Sequence, residues 1–216
     1  VTVTPDDAER LEECLVAGGV AVIPTDTVYG LACDPDSAAA IQKIYELKRR
    51  PPMKPSAVMF FSLEAALEAL PDLGPRTRAA LAKLLPGPVT GLLPNPRHHF
   101  PLACDPEGLD AERDNAHPLG LRVPKLAEPL SALTLVRVPL LQSSANLSGQ
   151  APPRRLADVP VELREGADLA LDGGELPGAA STVVDLSEYE QSGHWRVVRE
   201  GPLDAASLAT ALTRSC

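Results

Sequence analysis

Aromatic residues are scarce: three Phe, three Tyr and one Trp make up 3% of the 216-residue chain. A core must therefore be built from Val, Leu, Ile and Ala, and platforms for stacking nucleic acid bases are few. Basic residues are in deficit too, 20 Lys and Arg against 29 Asp and Glu, for a formal net charge of −9. Such a surface repels nucleic acid and anionic membranes on average, so an anion has to be met by a local basic patch. Long apolar runs are missing: residues 14–25 are uncharged but contain Gly18, Gly19 and Pro24 and fall well short of the roughly 20 residues a membrane span needs. The first residues are acidic (Asp6, Asp7, Glu9, Glu12, Glu13) rather than basic and then apolar as in a secretory signal. A cytoplasmic protein with no membrane partner is the expectation.

Several well-known motifs are also lacking. Cys14, Cys33, Cys104 and Cys216 are far apart with no C-x-x-C pair, which speaks against a zinc knuckle or a redox motif. No Gly precedes a Lys, so there is no Walker A loop, and neither G-x-G-x-x-G nor H-E-x-x-H occurs. His98 and His99 have no third ligand at metal-binding spacing, so no resident metal is expected.

What is present alternates between helical and extended patterns. Thr4-Pro5-Asp6-Asp7 is a helix start, and residues 20–23 form a continuous apolar run closed by Pro24, as in a buried strand. Helices are predicted over residues 34–46, 63–70, 75–85 and 125–133, weakly over 156–166, and again after Asp204. Strands are predicted at 56–61, 89–93, 121–123, 139–142, 169–171, 182–186 and 195–198, with a loop at 143–153. Residues 95–119 read as a long polar excursion or mobile flap. The length favours one domain spanning residues 1–216. The absence of a strict βαβ period favours an α/β fold with a mixed parallel and antiparallel sheet.

Three segments stand out chemically. Pro24-Thr25-Asp26-Thr27-Val28-Tyr29-Gly30-Leu31 places hydroxyls, a carboxylate and a phenol at a strand terminus, where α/β sheets build sites. The same residues could equally satisfy a turn. Lys43, Lys48, Arg49, Arg50 and Lys54 oppose a single Glu46, inverting the sign of the whole chain. Lys48 and Arg50, one residue apart in a non-helical stretch, can close on one phosphate or carboxylate. Gln142 to Gly149 (QSSANLSG) offers hydroxyls, amides and a glycine, a donor set suited to phosphate oxygens.

Taken in order, PTDTVYGL, the K-x-R of Lys48 and Arg50 with Lys54-Pro55, PGPVT, GLRVP, SANLSG, STVVD and VREGP span residues 24–202. This series resembles the YrdC/Sua5 family of threonylcarbamoyl-AMP synthases in its short form. The resemblance implies a twisted mixed sheet with flanking helices around a concave basic cavity. It also implies condensation of L-threonine, bicarbonate and ATP, with Mg²⁺ as the ATP counterion, to threonylcarbamoyl-AMP and pyrophosphate. The product would serve the tRNA modification N6-threonylcarbamoyladenosine through a downstream threonylcarbamoyl transferase complex, with tRNA binding weak or indirect.

Position by position, the family's catalytic tetrad falls on Lys48, Arg50, Ser144 and Asn146. By the same resemblance, Thr27, Arg122 and Ser181 match threonine positions. Thr90, Arg154 and Arg199, with Ser144 and Asn146, match nucleotide positions. Met59 departs from relatives that carry a polar residue or histidine there. Two other readings stay open at this point: a YciO-like or hydrogenase-maturation-type carbamoyl enzyme with the same segments, and an RNA-binding module.

Overall fold

The computed structural model describes residues 1–49, 56–104 and 118–213. Helix α1 (Pro5–Val16) opens with a reciprocal cap: Asp7 N donates to Thr4 Oγ1 at 3.2 Å and Thr4 N to Asp7 Oδ2 at 3.0 Å. It buries Ala8, Leu11 and Leu15, and Gly18, at φ +76°, takes the left-handed turn that leads into the sheet. Strands β1 (Ala21–Ile23) and β2 (Gly30–Cys33) follow, then α2 (Ala38–Leu47), capped by Ser37. Next come β3 (Ala57–Met59), α3 (Leu63–Ala69), α4 (Pro75–Leu84), β4 (Val89–Leu93) and the short α5 (Pro101–Cys104). The remainder runs β5 (Leu119–Arg122), β6 (Leu140–Ser144), α6 (Val161–Gly166), β7 (Leu169–Ala170), β8 (Thr182–Asp185), α7 (Tyr189–Ser192), β9 (Arg196–Arg199) and α8 (Ala205–Thr213).

Among the described residues, nine strands form a single sheet in the order β7-β1-β2-β6-β3-β5-β4-β8-β9. The pairs β1/β7, β3/β5 and β4/β8 are parallel and the other five antiparallel, so the sheet is mixed, with helices flanking it, as expected. Its central strands are largely buried and built mainly of Val, Leu, Ile and Ala, so that several of them read as apolar runs rather than as alternation. No helix among the described residues is long and apolar enough to cross a membrane.

Three expectations need correction. Strand β2, Gly30–Cys33, was not anticipated; it is only four residues long and pairs with β1 just before it and with β6 more than a hundred residues away. Its pairing of Gly30 with Ser144 also carries β6 two residues past the expected end at 142, into the segment read as a loop. Residues 125–133, expected as a helix, instead give way to 3₁₀ turns over Glu128–Leu135, with Pro129 in the first turn.

The excursion is anchored over its first part. Asn95 donates from Nδ2 to His99 O at 2.9 Å, and its Oδ1 accepts from His99 N at 2.8 Å, while Phe100 meets Phe60 edge-on with ring centroids 6.1 Å apart. His99 pairs with Asp72 at 2.9 Å. The expectation of mobility for residues 105–117 lies outside the described residues. Met59, flagged by the sequence, is wholly buried in β3, opposite Arg122 of β5.

Candidate functional site

A cavity of about 380 Å³ opens where the C-terminal end of β6 meets β5, β4, β8 and β9. Two guanidiniums, Arg122 and Arg199, contribute to its walls beside the hydroxyls of Thr90, Ser143, Ser144 and Ser181 and the amides of Gln142 and Asn146. No Asp or Glu is among the described residues lining it, so the local sign is opposite to that of the whole chain. Leu92, Val183, Ala57 and Pro118 supply an apolar part.

One end is organised around Arg122, which is 4% exposed. Its Nη2 donates to Asp26 Oδ1 at 2.8 Å and to Thr27 Oγ1 at 3.1 Å, and its Nη1 donates to Gln142 Oε1 at 3.1 Å. The Nε–H is buried and has no acceptor among the described residues. Asp26 is held from its other side by the Lys125 backbone N–H, 3.1 Å from Oδ2. Thr27 is packed by Thr25, whose hydroxyl sits 3.0 Å away and donates to Val28 O at 2.7 Å. Burial pushes the Arg122 guanidinium below its ordinary range, opposed by Asp26 and reinforced by Arg199. Burial likewise raises the Asp26 carboxyl, with Arg122 pulling the other way. Desolvation thus works against both charges of the pair and outweighs their attraction at this depth, while the guanidinium stays protonated.

A second cluster joins β4, β8 and β9. The Thr90 and Ser181 hydroxyls lie 2.8 Å apart, and Arg199 reaches Ser181 Oγ at 3.1 Å and Ser181 O at 2.8 Å. Burial lowers the Arg199 guanidinium as well. Parallel pairing of Val89 with Thr182 brings these residues together across the sheet.

The third cluster is the loop after β6. Ala145 N donates to Tyr29 O at 2.8 Å and Ser148 N to Lys48 O at 3.1 Å, so the loop is stitched to both of the other conspicuous segments. Lys48 is 2% exposed and donates to the carbonyls of Ser144 and Asn146, the latter at 2.8 Å. Its ammonium therefore braces the loop from behind. Asn146 Nδ2 donates to Leu147 O at 2.8 Å and Gln150 O at 2.9 Å, which leaves Asn146 Oδ1 buried with no donor among the described residues.

The structure thus gathers Arg122, Ser144, Asn146, Thr90, Ser181 and Arg199 around one cavity, with Thr27 and Lys48 one layer behind. Arg154 stands apart: it is exposed, pairs with Glu175 at 3.0 Å and does not line the cavity. Arg50 and Lys54 lie outside the described residues. Two participants were missed as site residues. Asp26 was read only as part of a motif, although a carboxylate beside two threonines at a strand end is a natural counter-ion for a buried arginine. Gln142 was read only as a loop donor; the signal was a long polar side chain directly after Leu140-Leu141 in a buried strand.

A family model named for Sua5, YciO and YrdC, described as telomere recombination, matches residues 13–201. Threonylcarbamoyl-AMP synthase from Chromohalobacter salexigens is 34% identical over 190 residues, covering 86% of this chain and 97% of that protein. The human threonylcarbamoyl-AMP synthase is 34% identical over 196 residues, covering 87% of this chain and 64% of its own length. Among solved structures, P. abyssi Sua5 complexed with L-threonine superposes with a TM-score of 0.81 at 26% identity, over 99% of this chain and 59% of that one. E. coli YciO, at 24% identity, shares the fold with a TM-score of 0.73 over 95% of this chain and 94% of its own.

Proposed function

We propose that this chain, which belongs to the Sua5/YciO/YrdC family, makes threonylcarbamoyl-AMP and pyrophosphate from L-threonine, bicarbonate and ATP. The observation that carries this reading is the buried, acceptorless Nε–H of Arg122 in a cavity whose described walls hold two guanidiniums and no carboxylate. Such a donor favours an anionic partner, and a guanidinium edge suits a planar carboxylate. The threonine carboxylate would take that position, beside the Thr27 hydroxyl. A related protein, P. abyssi Sua5, has been solved with L-threonine.

In the reaction, the threonine amine combines with bicarbonate to give an N-carboxylate and water. An oxygen of that carbamate then attacks the α-phosphorus of ATP, the bond to the bridging oxygen breaks, and pyrophosphate leaves. No protein nucleophile is required; the chain supplies position and charge stabilisation. The apolar strip of Leu92, Val183 and Pro118 suits a nucleobase, and Arg199 with Ser144 and the Asn146 region suits phosphate oxygens. Lys48 would act through the loop carbonyls it holds, keeping the Ser144 and Asn146 groups in place. Arg50 is proposed as the second tetrad cation. Mg²⁺ would enter as the counterion of ATP. The product is a mixed anhydride, so a transferase delivering it to tRNA must follow.

The test is a purified-protein assay with ATP, bicarbonate and labelled L-threonine, following pyrophosphate and labelled threonylcarbamoyl-AMP together, with serine as control. Threonine-dependent formation of both products is expected. ATP binding without that product would overturn the reading in favour of another carbamoyl chemistry on the same fold.

A further inference from the structure

Arg122 has a partner that neither the motif series nor the charge pattern assigns. Gln142 is 5% exposed, lies in the middle of β6 and lines the cavity. Its Oε1 accepts from Arg122 Nη1 at 3.1 Å. That bond fixes the amide's sense: the oxygen faces the guanidinium, and Nε2 lies over Gly30.

The amide also has a floor. Gln142 pairs across β2 with Ala32 and lies over Gly30, where a Cβ would come 3.1 Å from Gln142 Cδ and closer still to Nε2. Only a residue without a side chain at position 30 leaves room for the amide in this pose. The guanidinium is therefore gripped on two sides, by Asp26 and Thr27 at Nη2 and by Gln142 at Nη1, and the unused Nε–H is held in a fixed direction. Asp26 and Thr27 alone would leave the planar group free to pivot about Nη2.

We propose that Gln142 is a positioning residue for the amino-acid substrate: it fixes the Arg122 guanidinium so that its free N–H groups meet the substrate carboxylate, while staying neutral itself. This rests on the functional reading above. Neutrality matters because a carboxylate at position 142 would give Arg122 a second anion and compete with the substrate's own.

Two substitutions test the idea. Gln142→Met keeps length and volume over Gly30 but removes the acceptor; Gln142→Glu keeps an acceptor but adds charge. KM for L-threonine is expected to rise about tenfold in Gln142→Met, the scale of losing one hydrogen bond to a charged group. In that variant kcat stays within about twofold and KM for ATP does not change. Gln142→Glu is expected to raise KM for L-threonine further still. A Gln142→Met protein with wild-type KM for L-threonine, or with KM for ATP raised equally, overturns the proposal. Calorimetric binding of L-threonine separates the two claims. A wild-type chain that binds L-threonine without making product refutes the proposed reaction, and Kd ratios of the two variants then decide the role of Gln142. A wild-type chain that neither binds nor reacts overturns both.

Discussion

Two ion pairs of equal length sit in opposite surroundings. Arg122 and Asp26 meet at 2.8 Å with both side chains 4% exposed, at the wall of the cavity. Lys43 and Asp168 also meet at 2.8 Å, but 38% and 50% exposed, where α2 approaches the start of β7. In water the second pair is screened and stabilises little, whereas the first has lost the hydration of two charges. The shifts of the two carboxyls make the contrast concrete. Asp168 is held below its ordinary value of 3.8, first by its hydrogen bond from Lys43 and then by the Val20 N–H. Asp26 is raised above 3.8, burial outweighing its cation. Equal geometry therefore says nothing about equal worth. The buried pair costs folding energy to charge, and what it provides is a guanidinium in a fixed place.

Removing one partner of each pair should separate them most sharply. Asp26→Ala leaves Arg122 charged and buried without its counter-ion, and about 3 kcal/mol of stability should be lost, read as a shift in the denaturant midpoint at unchanged slope. A loss below about 1 kcal/mol would mean that water reaches the guanidinium and that the contrast is overstated.

Acid offers a subtler cut, because the two carboxyls pull in opposite directions. The stability that Asp168 contributes is present above its unfolded value near 3.8 and disappears as pH falls through its lowered folded value. Asp26 takes up its proton more readily in the fold than in the unfolded chain. Its contribution is therefore complete below about 3.8 and is lost as pH rises through the raised folded value. Midpoints measured from pH 3 to 6 should show Asp168→Asn flattening the acid-side decline and Asp26→Asn steepening it. The same sign for both variants would contradict the contrast.

The smallest effect belongs to Lys43→Ala, which should cost well under 1 kcal/mol and fade further in high salt. A larger loss would show that the Asp168 link to Val20 N, 2.8 Å long, depends on the lysine.

What could be read from the chain alone follows the same division between local and distant causes. Residues 20–23 and 89–93 announced themselves as buried strands because their burial is continuous, and Thr4 and Ser62 announced helices through caps a few residues away. Of the positions that the family resemblance assigned, Ser144, Asn146, Arg122, Ser181, Thr90 and Arg199 line one cavity, whereas Arg154 does not. The partners of those residues were not legible. That Arg122 would share its charge with Asp26 and its Nη1 with Gln142 depends on β3 lying between β5 and β6, a matter of sheet order rather than spacing. Lys48 was read as a cation for phosphate from its neighbours in sequence, and its burial against the Ser144 and Asn146 carbonyls appears only when α2 and the end of β6 are packed together.

The provenance of the cavity walls carries a consequence for the life of the chain. Residues 142–146, 120–122, 90–92 and 181–183 come from four strands scattered along it, and Arg199 from a fifth. No fragment ending before β9 owns a complete binding surface. A ligand seated there therefore adds its binding free energy only to molecules whose last strand has docked, drawing nascent or partly opened chains toward completion by mass action.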